Sequence, residues 1–343
     1  MKSKLKLLAL SASVLTVFAA APAHAYVYGE SSLSLQNLKL NVNGVAGGVS
    51  NFTYTSSNSA TLNNVTDAHS VSCFGAPGNP GVANNCGTAP VLSAAAANAP
   101  GSGVTRGNLD FSFKGPAGGL TFSNAASSID TSELSPVGGV TAGRQITESQ
   151  LQANGSADAT TVLQSVTGFA FTFTTGPGGT LDLSFGANPD LFASIIEAQN
   201  GLFSAQANLS TLFTLQQQTD GAGNPGTLSA TFTPRGLGAT DCVVTGLTCV
   251  VTPGTDNTES LNRTAATTTR NNTDSQSHGD STFSLFGFSL SGLAAGTYRL
   301  TLAANTSTQL SRLVVPEPGS LLLIGTGLAA LALRSRRQKK QAA

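Results

Sequence analysis

The sequence predicts an all-β protein, an antiparallel β-sandwich of immunoglobulin-like or jelly-roll-like type. Apolar residues alternate with polar ones in run after run, which is typical of strands that bury one face. Gly, Pro and Asn separate these runs as they do in turns. The chain has no tryptophan and a single methionine, at position 1, so the core is expected to consist of Phe, Leu, Val and Ala.

The alternation predicts where the strands lie. The run from Leu33 to Val42 slips once at Asn37, which predicts a β-bulge, and Phe52 and Tyr54 alternate again. The later candidate strands are Leu109 to Phe113, Leu120 to Phe122, Phe169 to Phe173, Leu181 to Phe185, Leu202 to Leu215, Leu228 to Phe232, Phe283 to Leu290 and Tyr298 to Ala303.

The connections between these runs predict hairpins. A Gly-Pro-Gly-Gly turn at 176–179 lies between two alternating runs, which favours a hairpin from Phe169 to Phe185. The segment from Gly292 to Leu302 resembles the last hairpin of many immunoglobulin-like surface domains, in which the tyrosine, here Tyr298, packs at the sheet end.

Two segments depart from the strand pattern. One short helix is predicted from Pro189 to Gln199, because Asn188 can cap it, Pro189 suits its first turn, and apolar residues follow at helical spacing. The segment from Pro253 to Asp280 is rich in Thr, Asn and Ser and has few apolar residues, which predicts a long mobile loop.

The N-terminus has the three parts of a secretory signal peptide. Lysines at positions 2, 4 and 6 precede an apolar run from Leu7 to Ala20, and Ala23 and Ala25 form an A-x-A cleavage site. Residues 1–25 are therefore expected to be removed after export through the Sec translocon. The exported domain, residues 26–314, is expected to begin at Tyr26 and to form one large sandwich or two small ones.

The C-terminus, residues 315–343, also has three parts. Pro316, Glu317 and Pro318 precede an uncharged run from Gly319 to Leu333, which as a helix would be about 22 Å long and short for a permanent membrane span. Five cations follow, and the positive-inside rule predicts that they stay in the cytoplasm. These cations are Arg334, Arg336, Arg337, Lys339 and Lys340.

This order of parts resembles the PEP-CTERM sorting signal of Gram-negative bacteria. The resemblance implies that a membrane-embedded protease, exosortase, recognises Pro316, Glu317 and Pro318 and removes the tail. It also implies a C-terminal transmembrane helix, transient anchoring in the inner membrane, and release to the cell surface or the extracellular matrix. A structural role in exopolysaccharide, biofilm or floc is expected from the same resemblance. The alternative is an adhesin module that binds a carbohydrate or a cation.

Charge limits the partners of the exported domain. Without the two terminal segments the chain keeps nine Lys and Arg against sixteen Asp and Glu, a net charge of about minus seven. Nucleic acid and anionic lipid both require a basic surface, so neither is an expected partner.

The four cysteines form two close pairs in the sequence. Cys73 lies near Cys86, and Cys242 lies near Cys249, so two local disulfides are expected in an oxidising compartment. Crosswise pairing is the alternative. A metal site is not expected, because His69 is the only histidine near the first pair.

No catalytic constellation is predicted. The exported domain has only two histidines, His69 and His278, each in a polar segment without a nucleophile motif nearby. No pair of carboxylates stands out as a glycosidase would require, and the Asp and Asn clusters at 220–224, 256–257 and 274–280 lack the spacing of a calcium loop. The sequence therefore predicts neither an enzyme nor a bound cofactor or metal.

Overall fold

The computed structural model describes residues 25–43, 45–46, 49–75, 92–116, 120–130, 141–163, 169–218, 226–235, 242–252, 260–276, 281–315, 325–328 and 330. Within these residues the chain forms eighteen strands. They are β1 (Tyr26–Val42), β2 (Val45–Ala46), β3 (Val49–Leu62), β4 (Val65–Gly75), β5 (Leu92–Asn98), β6 (Phe122–Asp130), β7 (Thr141–Leu151), β8 (Gly155–Leu163), β9 (Phe169–Thr175), β10 (Gly179–Ile196), β11 (Gly201–Gln217), β12 (Thr227–Phe232), β13 (Cys242–Val244), β14 (Thr248–Thr252), β15 (Arg263–Thr267), β16 (Asn272–Gln276), β17 (Ser284–Leu293) and β18 (Gly296–Val314).

These strands form two antiparallel sheets of nine strands each. Sheet 1 has the order β14-β17-β10-β1-β7-β6-β5, with β16 also paired to β10 and β2 to β1. Sheet 2 has the order β13-β12-β11-β18-β8-β3-β4, with β15 also paired to β11 and β9 to β18 and β3. The predicted antiparallel β-sandwich is confirmed, while its finer type, immunoglobulin-like or jelly-roll-like, stays a prediction.

The two sheets stack with matching strand orders. Strand β5 contacts β4, β6 contacts β3, β7 contacts β8, β1 contacts β18, and β10 contacts β11. Inward-facing side chains of both sheets therefore meet along the whole width of the sandwich.

The side chains that fill the interior differ between the two sides of the sandwich. Near β10, β11, β12 and β17 it contains a phenylalanine cluster, in which the rings of Phe213 and Phe185 are 5.2 Å apart and those of Phe232 and Phe288 are 4.9 Å apart. Near β3, β6, β7 and β8 it contains alanines and hydroxyl groups, and the Ser149 and Thr308 hydroxyls lie 3.0 Å apart between the sheets. Buried hydroxyls need such partners because leaving a polar group unpaired is costly.

The predicted helix from Pro189 to Gln199 is wrong, because β10 continues as a strand to Ile196. Leu191, Ala193 and Ile195 are buried on one side at a period of two, and the strand is covered on both faces, which obscured that period in the sequence. On the edge of β10 that faces away from β1, pairing with β17 ends at Ala187 and pairing with β16 begins at Leu191. Pro189 lies in the gap between them, where no neighbouring strand requires an amide hydrogen.

Both predicted hairpins are also wrong. Strand β9 lies in sheet 2 and β10 in sheet 1, so the glycine-rich turn at 176–179 passes from one sheet to the other. Strands β17 and β18 are divided in the same way, and the segment from Gly292 to Leu302 is a second crossing. Tyr298 does pack at this end of the sheet: its hydroxyl donates to the Ala294 carbonyl oxygen at 3.1 Å, and its ring stacks on Phe173.

Two further segments differ from expectation. Residues 109–113 form no strand, and Leu109 and Phe113 are partly exposed within a segment that covers the outer face of sheet 1. The expected loop from Pro253 to Asp280 contains β15 and β16, of which β15 pairs with β11 and β16 with β10. Polar strands form here through main-chain hydrogen bonds to their neighbours, and Leu261 and Ala265 are buried in the core.

Of the predicted strand from Leu120 to Phe122, only Phe122 lies in a strand, as the first residue of β6. The remaining strand predictions are confirmed, including the irregularity in β1. The register of β1 shifts between Gln36 and Lys39, and Asn37 has a φ of 55°. A tight hairpin that was not predicted joins β3 and β4, and its two-residue loop is Asn63-Asn64, with φ values of 50° and 67°. Adjacent asparagines between two strands are a recognised signal for such a turn.

Candidate sorting and processing site

The last strand of the sandwich leads directly to the predicted processing site. Strand β18 pairs with β11 from Tyr298 to Val314, where Val314 lies opposite Gly201. Beyond it the Val315 amide donates to the Asn200 carbonyl oxygen at 3.0 Å, and the Val314 amide donates to Asn154 Oδ1 at 2.9 Å. The ordered domain therefore continues to within one residue of Pro316.

A buried ion pair fixes this end of the sandwich. The Arg312 guanidinium donates through Nε, at 3.0 Å, and through Nη2 to Oε2 of Glu197, and both side chains are almost completely buried. Glu197 follows β10 of sheet 1, whereas Arg312 belongs to β18 of sheet 2, so the pair connects the sheets. Arg270 adds to this, because its Nη1 donates to the carbonyl oxygens of Ala198 and Gln199 at 3.2 and 3.1 Å.

The first strand starts at the same end. Tyr26 of β1 lies opposite Ile196, the last residue of β10. The predicted signal-peptide cleavage point, between Ala25 and Tyr26, is thus close to the point where β18 ends. Ala25 is half-buried, whereas Ala23 lies outside the described residues.

A family model for the PEP-CTERM protein-sorting motif matches residues 314–337. The chain carries a PEP-CTERM sorting motif. Comparison with curated proteins and with solved structures finds no match. The matched segment begins at the last residue of β18, so the sorting motif follows the sandwich without a linker.

The PEP-CTERM match covers the predicted recognition residues Pro316, Glu317 and Pro318, and also Arg334, Arg336 and Arg337. Lys339 and Lys340 lie just beyond it. All eight lie outside the described residues, and their roles stay predictions. Residues 325–328 and 330 are helical, and in the part of the chain that the structure describes no helix is long and apolar enough to cross a membrane.

One cysteine pair is joined in the structure. Cys242 in β13 and Cys249 in β14 form a disulfide with a Cα–Cα distance of 6.4 Å. These strands are the edges of sheet 2 and sheet 1 respectively, so the bond links the two sheets at one side of the sandwich. Cys73 lies in β4, at the opposite edge of sheet 2, and Cys86 lies outside the described residues.

The structure also reveals a buried polar network that the sequence did not show. The segment 99–116 covers the outer face of sheet 1, and Arg106 in it is fully buried against Glu148 of β7. Arg106 Nε donates to Asn124 Oδ1 at 3.0 Å, and Nη1 donates to the carbonyl oxygens of Asp110 and Ser112. This arginine therefore organises the covering segment around one carboxylate.

Glu148 accepts several further hydrogen bonds. The Tyr28 hydroxyl donates to its Oε1 at 2.7 Å, and the amides of Lys114 and Gly115 donate at 2.8 and 2.7 Å. A side chain at position 115 would collide with the Tyr28 ring, because an added Cβ would lie 2.5 Å from Tyr28 Cε2. Burial and the neighbouring Glu148 and Glu30 carboxylates raise the pKa of Tyr28 well above its usual value.

Glu30 lies directly opposite Glu148 on the neighbouring strand and is also fully buried. Its burial, and after that the nearby carboxylates of Asp190 and Glu148, raise the pKa of Glu30 well above the ordinary value of 4.5. The two opposed glutamates form a pair of carboxyl groups on neighbouring strands. Neither is exposed, so a polymeric substrate has no access to them.

Those histidines and oxygen clusters of the sequence that the structure describes do not assemble into a site. His69 is exposed on β4, where its Nε2 lies 3.2 Å from Asp67 Oδ1, and His278 lies outside the described residues. Asp274 accepts the Ala266 amide at 2.9 Å, and the other two clusters, at 220–224 and 256–257, are not among the described residues. No group of three or more His, Cys, Asp or Glu within the described ranges is placed to hold a metal ion.

Proposed function

We propose that this chain is a non-enzymatic structural protein of the extracellular matrix, associated with exopolysaccharide in a biofilm or floc. The PEP-CTERM motif indicates an extracellular protein that is sorted by exosortase, with export and transient membrane anchoring before display at the surface. The observation that carries the proposal is the position of this motif, which begins at the end of a fully paired sandwich strand. The sorting motif is thus attached directly to a folded domain.

The outer face of sheet 2 supports a role in contacting neutral, hydroxyl-rich polymers. Four successive cross-strand pairs of β11 and β18 on that face consist entirely of hydroxyl and amide side chains, none of them charged. They are Ser204 with Ser311, Gln206 with Gln309, Asn208 with Ser307, and Ser210 with Asn305. Hydroxyl and amide groups exchange hydrogen bonds with sugar hydroxyls without an electrostatic requirement.

The C-terminal transmembrane helix belongs to the same proposal. The apolar run from Gly319 to Leu333 crosses the inner membrane until exosortase acts near Pro316 to Pro318, and the basic tail stays in the cytoplasm. Since the run is short, its anchoring is suited to a processing intermediate rather than to a permanent span.

The decisive experiment measures the intact mass and location of the protein in wild-type cells and in a strain that lacks exosortase. The expected wild-type species starts at Tyr26, ends between Pro316 and Pro318, and is found in the matrix fraction. Without exosortase the precursor keeps Lys340 and stays in the inner membrane. A species that keeps Lys340 in both strains would show that the tail is a simple anchor.

Matched variants make the test specific to the motif. Replacing Pro316, Glu317 and Pro318 by alanine should reproduce the exosortase-deficient result in wild-type cells, whereas Gln309→Ala, on the exposed face of β18, should be processed normally. The adhesin alternative is tested separately: purified protein that binds host exopolysaccharide and releases it on chelation would favour a cation-dependent adhesin over a structural component.

A further inference from the structure

Along the ladder of β11 and β18, the outer face of sheet 2 has an apolar row nearest the sorting motif and another near the far end. Leu202 of β11 and Leu313 of β18 lie directly opposite each other, immediately beyond the Ser204 and Ser311 pair. Their side chains are 69% and 51% exposed, and Val315, on the same side of the chain, is 50% exposed. These three residues, Leu202, Leu313 and Val315, are called the terminal apolar row below.

The position of this row relative to the sorting motif restricts what it can contact. Gly319, where the uncharged run begins, is the fourth residue after Val315, and a fully extended chain covers at most about 14 Å over these four steps. The interfacial layer on each side of a bilayer is roughly 5 to 8 Å thick. In the anchored precursor, the terminal apolar row must therefore lie at or just above the lipid headgroups.

We infer that the terminal apolar row docks into the interfacial layer of the bilayer while the precursor is still anchored. The inference rests on the proposed function, because it requires the run from Gly319 to Leu333 to be inserted. The occupant is a lipid surface and not a protein groove, since the row is presented at the end of the domain where the chain enters the membrane.

The character of the contact follows from the charge of the domain. A net charge of about minus seven provides no attraction to anionic lipid, so the contact is apolar and also forms with zwitterionic lipid. Leucine and valine side chains lower their free energy by leaving water for the acyl boundary, whereas the serine and glutamine pairs further along the face remain in water. The sandwich is thereby held with this end against the membrane and Pro316 at a fixed depth.

The absence of tryptophan from the chain allows a direct test. The precursor is purified from the membranes of a strain that lacks exosortase, carrying Leu202→Trp as its single tryptophan, and is reconstituted into phosphatidylcholine vesicles. The matched control is Leu212→Trp, on the same strand and the same face, 40% exposed, and about 33 Å further from the membrane. Both positions are exposed at the surface, so neither substitution disturbs the core.

The expected result is that binding to the vesicles shifts the emission maximum of the Leu202→Trp protein to shorter wavelength, and that lipid brominated near the headgroup quenches this emission. The Leu212→Trp protein should keep its emission and remain open to acrylamide. Tryptophan is a fitting probe because it partitions to the interfacial layer that the row is inferred to occupy.

Flotation of the vesicles shows whether the anchor or only the docking has failed, and acrylamide shows whether protein covers the row. If the precursor floats with the vesicles but brominated lipid leaves Leu202→Trp emission unchanged, the docking inference is overturned and the anchor stands. If the emission is shielded from acrylamide yet unaffected by brominated lipid, protein and not lipid covers the row, which also overturns the inference. A precursor that does not float contradicts the membrane anchor itself, and with it the docking.

Discussion

Arg106 and Glu148 form a fully buried ion pair on the outer face of sheet 1. Removing two charges from water is costly, and the cost is offset here because nearly every donor of the arginine and both oxygens of the carboxylate have hydrogen-bond partners. The loss of one partner would leave the other charge buried and uncompensated. This pair is therefore a sensitive point for the stability of the covering segment.

We expect Arg106→Met to lower the free energy of unfolding by about 3–5 kcal/mol, because it leaves the Glu148 carboxylate buried without a counter-ion. Urea denaturation of the purified protein measures this change. The control is Lys114→Met, which removes a more exposed pair with Asp110 and should cost at most about 1 kcal/mol. Equal effects of the two substitutions would contradict the assigned role of the buried pair.

The raised pKa of Glu30 predicts a pH dependence. A carboxyl whose pKa is higher in the folded state binds more protons when folded, so stability falls as pH rises from about 4.5 through the folded pKa. Glu30→Gln removes this titration and should flatten the decline that begins as pH rises above about 4.5. The groups that face Glu30 are Asp190, Glu148, Arg106 and Ser32.

The measurement is the free energy of unfolding of both proteins from about pH 4.5 upwards. Asp110→Asn serves as the control. Lys114 and Ser112 lower the pKa of Asp110, so the stability that its carboxylate contributes is lost only as the pH falls below the ordinary pKa of an aspartate. If Glu30→Gln and the unchanged protein follow parallel curves above pH 5, the assignment of the titration to Glu30 is wrong.

At the scale of the elements, alternation predicted most strands but could not predict their partners. Leu181, Leu183 and Phe185 alternate in the same way whether β10 returns beside β9 or crosses to the other sheet. A glycine-rich turn is compatible with both paths, so the crossing at 176–179 could not be derived from local sequence. The helix prediction failed for a related reason, since burial on both faces of β10 removes the period of two from its sequence.

The bulge at Asn37 is the element-scale feature that the sequence predicted in full, and it provides a test. Asn37 adopts the left-handed conformation, with a φ of 55°, which a β-branched side chain resists. Asn37→Val should destabilise the protein by about 1–2 kcal/mol, whereas Asn37→Gly should be close to neutral. Thermal unfolding of the two variants measures the difference, and equal melting temperatures would contradict the strain at this position.

The distinction between local and long-range patterns also explains which parts of the candidate site were predictable from the sequence. The sorting motif is contiguous in sequence, so its three parts could be identified without a structure. The pairing of Glu30 with Glu148 and the cover by Arg106 join residues up to about 120 positions apart, and no local pattern marks them. Residues such as these become recognisable only when the register of β1 and β7 is known.

At the scale of the whole molecule, the sandwich has an apolar half and a hydroxyl-rich half. The phenylalanine cluster lies on the side where the Cys242–Cys249 disulfide joins the edges of the two sheets. The position of this bond makes it a link between layers rather than a link within one hairpin. Its loss should consequently affect the association of the two sheets.

We expect the double substitution Cys242→Ala and Cys249→Ala to lower the free energy of unfolding by about 2–3 kcal/mol. The reason is that the disulfide closes a short loop and thereby restricts the unfolded chain, which gains entropy when the bond is lost. Hydrogen exchange should increase in β12, β13, β14 and β17 and stay unchanged in β3 and β8. The matched control replaces the exposed neighbours Val243 and Val250 by alanine and should leave both measurements unaltered. Uniform exchange changes across the sandwich would argue against a local link between the sheets.

Strand β18 is paired with β11 along almost its whole length, and its last residue is the point of attachment to the sorting motif. A force that pulls the folded domain away from this attachment would act on β18 nearly parallel to its own axis. The main-chain hydrogen bonds of the ladder would then share the load in shear, instead of breaking one after another as in a peeled edge strand. The protein is thus attached through a strand whose ladder carries such a force in shear.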